Sequence, residues 1–238
     1  MIRRAAIAAM AACVLLAPGS ALAQAYRCAI PADLPRPRPD GPDARTPRRV
    51  VPIGGYTLAL SWAPQYCREN ARDRNDRFQC GAGNRFGFTL HGLWPDGRDR
   101  VWPQYCRAVP LLSEPVVRAN LCATPSVQLL QHEWAKHGSC MDGGAAAYFG
   151  RATRLYARLR YPDMDALSRR RDLTVAQFAT AVARANPGLR ADMMRVTTAK
   201  GGWLDELWVC LDTRFRYRAC PAHQRQPTGG RLRIWRSR

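Results

Sequence analysis

The 238-residue sequence contains no Cys-x-x-Cys pair, no His-Glu-x-x-His and no internal repeat. The first absence argues against a zinc ribbon or a thioredoxin-like site, and the second against the paired imidazoles of a helical zinc site. No apolar run reaches the roughly 20 residues that a membrane-spanning helix needs. The longest, Ala5 to Ala17, stops at Pro18. Lysine is nearly missing, with Lys136 and Lys200 the only two, and histidine occurs four times. Acidic residues are also scarce: 18 against 37 Lys and Arg, a formal charge of +19. Such a surface attracts polyanions by steering and counterion release. Because nearly all of the positive charge is arginine, codon bias explains it equally well. Charge alone therefore admits nucleic acid, anionic lipid or polysaccharide as partner and says nothing about chemistry.

The chain begins with Arg3 and Arg4, the apolar run, and the small-residue string Ala21-Leu22-Ala23-Gln24-Ala25. This pattern reads as a secretory signal peptide over residues 1–25, with cleavage after Ala23 or Ala25. It places the protein outside the cytoplasm, periplasmic or secreted. Removing it takes away Cys13 and leaves eight cysteines, at 28, 67, 80, 106, 122, 140, 210 and 220. An even number in an exported chain implies a disulfide framework. Residues 26–53 hold six prolines and five arginines between Pro31 and Arg49, which predicts an extended leader without packed structure. Residues 54–222 are long enough for one domain with a real core. Residues 223–238 predict a solvated basic tail, in which His223 is inert.

Within the domain, Tyr56 to Trp62 reads as a strand ended by Ala63-Pro64, and Phe86 to Leu90 as a second with His91-Gly92 at its end. Residues 68–85 read as a polar loop. Helical periodicity covers 126–137, Ala145 to Leu159 and Val175 to Ala185, the last stopped by Asn186-Pro187-Gly188. Leu204 to Leu211 reads as a late strand. Strands and helices mix without a βαβ rhythm, so the class is α+β.

Two short segments gather three of the four histidines: Phe88-Thr89-Leu90-His91-Gly92-Leu93-Trp94-Pro95-Asp96-Gly97, and His132-Glu133-Trp134-Ala135-Lys136-His137-Gly138-Ser139-Cys140. On a helix at about 100° per residue, His132, Lys136, Glu133 and His137 fall within one arc of about 140°, while Trp134 and Ala135 point away. The spacing His-Glu-x-x-x-His makes the imidazoles diverge by about 140°, and Lys136 beside them opposes a dication, so zinc fits poorly. Two histidines, a carboxylate and a lysine do suit RNA, which carries its own nucleophile, the 2′-hydroxyl. What the protein must add is a base, an acid on the opposite side, and cations for the more negative phosphorane.

Both segments resemble the two active-site signatures of the ribonuclease T2 family of secreted, metal-independent acid ribonucleases. The resemblance is strong over residues 56–140 and only in outline beyond. It implies an α+β fold with an antiparallel central sheet flanked by helices, and cleavage of single-stranded RNA through a 2′,3′-cyclic phosphate with no cofactor. By the same resemblance His137 is general base, His91 general acid, and His132 a phosphate ligand, while Glu133 and Lys136 orient and stabilise the transition state. Trp94 and Trp102 match base-stacking positions and Asp96 one that bonds adenine, which together imply a purine preference. Leu129 stands where the family has an aromatic, so the second base pocket departs from the pattern. The residues also admit blander roles: Trp94 and Trp102 in a core, Asp96 in a Pro-Asp-Gly turn.

The resemblance pairs Cys106 with Cys140. Position along the chain pairs Cys210 with Cys220 and Cys67 with Cys80, leaving Cys28 for Cys122; Cys80 with Cys122 is a family-like alternative. A monomer acting on single-stranded RNA is the expectation. A catalytically silent, basic RNA- or surface-binding protein of the same fold is the alternative, and would be expected to lack a motif histidine or the lysine.

Overall fold

The computed structural model describes residues 24–81, 83–225 and 229–236. In chain order the elements are β1 (Ala25–Arg27), β2 (Ile53–Trp62), α1 (Ala63–Asn70), α2 (Arg77–Cys80), β3 (Arg85–Phe86), β4 (Phe88–Gly97), α3 (Glu114–Asn120), α4 (Val127–Lys136), α5 (Ala145–Arg158), α6 (Met164–Arg169), α7 (Val175–Ala185), β5 (Met194–Ala199) and β6 (Trp203–Leu211). The class is α+β. β1 pairs only with β3, and the main sheet runs β4-β2-β6-β5, with every pair antiparallel.

β2 explains the two faces of this sheet. Its even positions, Tyr56, Leu58, Leu60 and Trp62, are large and buried; its odd positions, Thr57, Ala59 and Ser61, are small. A strand alternates sides with period two, so one face is a hydrophobic core and the other a shallow trough floored by small groups. Against the core face pack Tyr148, Phe149, Ala152 and Tyr156 of α5 and Phe178, Ala179 and Val182 of α7. The Tyr156 hydroxyl donates to the Phe88 carbonyl at 2.7 Å. α7 starts on a capping box between Thr174 and Gln177 and ends at Asn186 before Pro187.

Two bulges shape the trough. Ala59 faces Gly92 and Leu60 faces Leu90, so His91 is an extra residue in β4. Val196 faces Leu207 and Thr198 faces Leu204, so Asp205 and Glu206 together oppose Thr197. An extra residue bends a strand and re-aims its side chain; here the bulges bring His91 and Glu206 together over Ser61.

Four disulfides join Cys28–Cys122, Cys67–Cys80, Cys106–Cys140 and Cys210–Cys220. The third links the segment after β4 to the turn after α4.

Several expectations need correction. The leader is extended but packed: Gln24 accepts from the Gly87 and Phe88 amides, Arg49 and Gln104 exchange backbone hydrogen bonds, and Cys28 is cross-linked. Proline removes its own backbone donor but leaves the neighbouring amides, the carbonyls and the side chains free to make these contacts. Of the residues read as a signal peptide only Gln24 and Ala25 lie among the described ones, and Ala25 pairs with Phe86 of β3. Among its described residues the tail is not wholly solvated either. Leu232 and Ile234 are buried, and Leu204 donates its amide to the Arg233 carbonyl at 2.7 Å. Residues 68–85 include the end of α1, a 3₁₀ turn at Arg74–Asp76, α2 and β3 rather than a bare loop. β4 continues six residues past His91 to Gly97.

Candidate active site

Facing residues of an antiparallel pair share a side of the sheet. The register therefore sets Trp94 and Gly92 of β4 beside Thr57 and Ala59, and Cys210, Trp208 and Glu206 of β6 beside Thr57, Ala59 and Ser61. α4 lies along the outer edge of β4, where Leu90 donates to the Ala123 carbonyl. Ser126 caps α4 by accepting from the Leu129 amide. The arc expected from the sequence leans over the trough, with His137 one residue past the helix as its C-cap.

His91 sits between two carboxylates. Its Nδ1 donates to Glu206 Oε1 at 2.6 Å, and its Nε2 lies 3.6 Å from Glu133 Oε1. Glu206 is held in turn by Ser61 Oγ at 2.9 Å and by the Trp208 indole N–H at 2.8 Å. Glu133 accepts from the Trp94 indole at 2.9 Å and from the Tyr148 hydroxyl at 3.4 Å. Gly92 is what lets Glu133 in: a Cβ there would overlap the Glu133 carboxylate.

Trp94 stands between the two motif histidines. Its ring stacks on His137 at 5.6 Å and meets His91 edge-on at 5.0 Å and Trp208 at 5.2 Å. The environments of these histidines push them apart. Burial lowers the proton affinity of His91, but the Glu206 hydrogen bond and the charges of Glu133 and Glu206 outweigh it and hold its pKa above the usual imidazole value. Burial, then the charges of Lys136, His132 and His91, push the pKa of His137 well down. Among the described residues His137 Nδ1 is buried without a hydrogen-bond partner, so that nitrogen meets no acceptor that would favour an imidazolium. Burial raises the pKa of Glu133. Burial would raise Glu206 as well, but its bond to His91 and the His91 charge bring it below the usual carboxylate range.

His132 points to the leader, its Nδ1 donating to Asp40 Oδ2 at 3.1 Å while the Tyr105 hydroxyl donates to Asp40 Oδ1 at 2.9 Å. Lys136 is half-buried and lines, with Trp94, Asp96, Trp102, Trp208 and His223, a groove of about 330 Å³. Trp102 is 47% exposed and carries Arg49 over its ring at 5.0 Å, so it is no core residue. Asp96 lies in β4 rather than in a turn, accepting from Thr57 Oγ1 at 2.8 Å and Gln224 Nε2 at 3.1 Å; burial raises its pKa. Leu129 is half-buried on α4, one turn before His132. Among the described residues no group of three or more His, Cys, Asp and Glu has the arrangement of a metal site.

Four contributors escaped the sequence reading: Glu206, Trp208, Asp40 and His223. Period-two alternation in Leu204 to Leu211 puts Glu206 and Trp208 on one face, but only the bulged register shows that His91 is their neighbour.

Residues 53–220 match the family described as the ribonuclease T2 family. The chain is 30% identical over 181 residues to a probable ribonuclease of Haemophilus influenzae, covering 71% of this chain and 62% of that protein. It is 31% identical over 143 residues to ribonuclease I of Escherichia coli, covering 44% of this chain and 53% of that one. The chain thus spans only about half to three fifths of the length of these curated relatives. In fold it is similar to an RNase-related protein from Calystegia sepium, with a TM-score of 0.59 at 22% identity, over 77% of this chain and 98% of that one.

Proposed function

Because this chain belongs to the ribonuclease T2 family, we propose that it is an exported endoribonuclease that cleaves single-stranded RNA without a metal, through a 2′,3′-cyclic phosphate. The observation that carries this reading is the pair His91 and His137, set either side of Trp94 with proton affinities displaced in opposite directions. Two titratable groups so separated are suited to opposite proton tasks. His137, neutral, takes the proton of the 2′-hydroxyl, whose oxygen then forms a bond to phosphorus. His91, protonated and oriented by Glu206, gives its proton to the departing 5′-oxygen as the P–O5′ bond breaks. The products are a cyclic phosphate and a 5′-hydroxyl. Lys136 and His132 balance the charge of the phosphorane, and Glu133 holds Trp94 and faces His91.

The base on the 5′ side fits the groove between Trp94, Trp102 and Trp208. Stacking there tolerates any base, whereas Asp96 accepts from an amino group and so favours adenine. All of these residues belong to one copy of the chain, so a monomer suffices. The four disulfides suit an oxidising compartment.

Replacing the one scissile ribonucleotide of an oligonucleotide by its 2′-deoxy counterpart tests the reading. Cleavage at that position should stop while binding persists; continued cutting there would mean that an activated water, not the 2′-hydroxyl, is the nucleophile.

A further inference from the structure

A second groove, of about 690 Å³, lies beyond the N-terminal end of β6. Its walls include Trp203, Trp235, Arg169, Arg231, Arg233 and Arg236. The C-terminal segment builds it by alternation: Leu232 and Ile234 point into the core, while Arg231, Arg233 and Trp235 are exposed on the other side. Three guanidinium–indole contacts organise the interior, with Arg233 over Trp203 at 4.0 Å and Arg68 over Trp203 and Trp235 at 4.6 and 4.2 Å. Stacking holds a guanidinium by its face and leaves its N–H edges free, the geometry that suits phosphate oxygens. Asp165 is the one carboxylate on the walls, and one wall arginine, Arg170, pairs with Asp172. Among the described residues the other wall arginines form no ion pair with the protein.

Its position gives the groove a direction. The bulge at Asp205 and Glu206 puts Trp203 on the same side of the sheet as Glu206 and Trp208, roughly 10 Å along the strand from Glu206. Moving along that face, one meets first Asp96 and the base groove, then Trp94 and Trp208, then His91 with Glu206, and last Trp203. His91, the group assigned to the 5′-oxygen of the departing strand, therefore lies between the base groove and the arginine groove. We propose that the arginine groove is an extended-substrate site that binds the phosphates of the RNA on the 3′ side of the cut; this rests on the ribonuclease reading of the trough.

The test uses oligodeoxynucleotides carrying a single riboadenosine, extended either 5′ or 3′ of it. For the native protein the 3′ extension should lower KM about tenfold and the 5′ extension should not. The exposed-residue variant Arg169→Gln/Arg231→Gln/Arg236→Gln should lose that gain and keep its turnover of a dinucleotide. The charge-matched variant Arg154→Gln/Arg158→Gln/Arg184→Gln, on the outer faces of α5 and α7, should retain the gain. Equal gain from both extensions, a gain that survives in the groove variant, or equal loss in both variants would each overturn the proposal. A second arm needs no catalysis: anisotropy of an all-deoxy oligonucleotide against salt, whose log–log slope should fall by about 2 in the groove variant, from about 0.7 per phosphate. Intact binding without any cleavage would defeat the ribonuclease reading but not the site. Unchanged oligonucleotide binding, alongside lost binding to phosphatidylserine vesicles, would show a membrane-facing surface and overturn the site.

Discussion

His91 Nδ1 lies 2.6 Å from Glu206 Oε1, a carboxylate 115 residues further along the chain. A histidine held in this way has one tautomer and one ring orientation, and its remaining nitrogen is turned to Glu133 and the trough. The charge of Glu206 also favours the imidazolium, which is the form a general acid needs.

Glu206→Gln should therefore lower the His91 pKa and move the alkaline limb of the pH–rate profile to lower pH, since activity falls once His91 loses its proton. At neutral pH kcat should drop about ten- to a hundredfold, the worth of one charge-assisted hydrogen bond. Stability follows the same sign. A His whose folded pKa is raised contributes below its unfolded pKa and loses that contribution as pH rises through the folded value. An unmoved alkaline limb in the variant would show that Glu206 has only a structural role.

His91→Ala and His137→Ala should each cost about 10²–10⁴-fold in kcat while substrate binding is largely retained. His132→Ala should raise KM as well, and Asp40→Ala should reproduce part of that effect by releasing the His132 ring. Single-turnover kinetics with separate titration of binding distinguish these outcomes. Near-normal turnover in either of the first two variants would remove it from the proton-transfer pair.

How much of this was legible from sequence follows from where the signals are local. The two motifs stand out because His and Trp, with Cys140 in the second, cluster within ten residues, and α7 because its helical periodicity stops at Asn186-Pro187-Gly188. β4 was read short because Gly92, Pro95 and Gly97 all discourage strands. The structure accommodates each: Glu133 fills the space above Gly92, and β4 is an edge strand, where a missing N–H is tolerated. The leader and tail were judged by composition, which hid Asp40 beside His132 and the alternation of Leu232 and Ile234. Alternation in the last strand groups Glu206 with Trp208, but only strand register relates it to His91.

Asp96→Asn should flatten the preference for adenine on the 5′ side without changing the cleavage of a pyrimidine site. The loss of charge should leave the fold intact, since Asn Oδ1 can accept from Gln224 Nε2 while its Nδ2 donates to Thr57 Oγ1. Initial rates on four dinucleotides differing only in the 5′ base measure it. Equal rates on all four in the native protein would leave Asp96 a purely structural residue.

Gly92→Ala should be costly out of proportion to its size. The new methyl meets the Glu133 carboxylate and the Trp94 indole N–H, so the hydrogen bond between them must break. A loss of about 1–3 kcal/mol is expected from overpacking alone, read as a lower Tm. Restoring room by shortening the acid, with Gly92→Ala/Glu133→Asp, should recover part of the stability but not the activity. Failure of the second change to recover any stability would mean that the clash is relieved elsewhere.

The most direct measurement is the chemistry of the ends. The mature protein is incubated with a single-stranded RNA oligonucleotide in excess chelator, and the fragments are weighed by mass spectrometry. A nucleophile supplied by the substrate, with His137 as base and His91 as acid, predicts cleavage under these conditions. The early fragments should carry 2′,3′-cyclic phosphate and 5′-hydroxyl ends. Cleavage abolished by the chelator, or fragments bearing 5′-phosphates, would contradict the account.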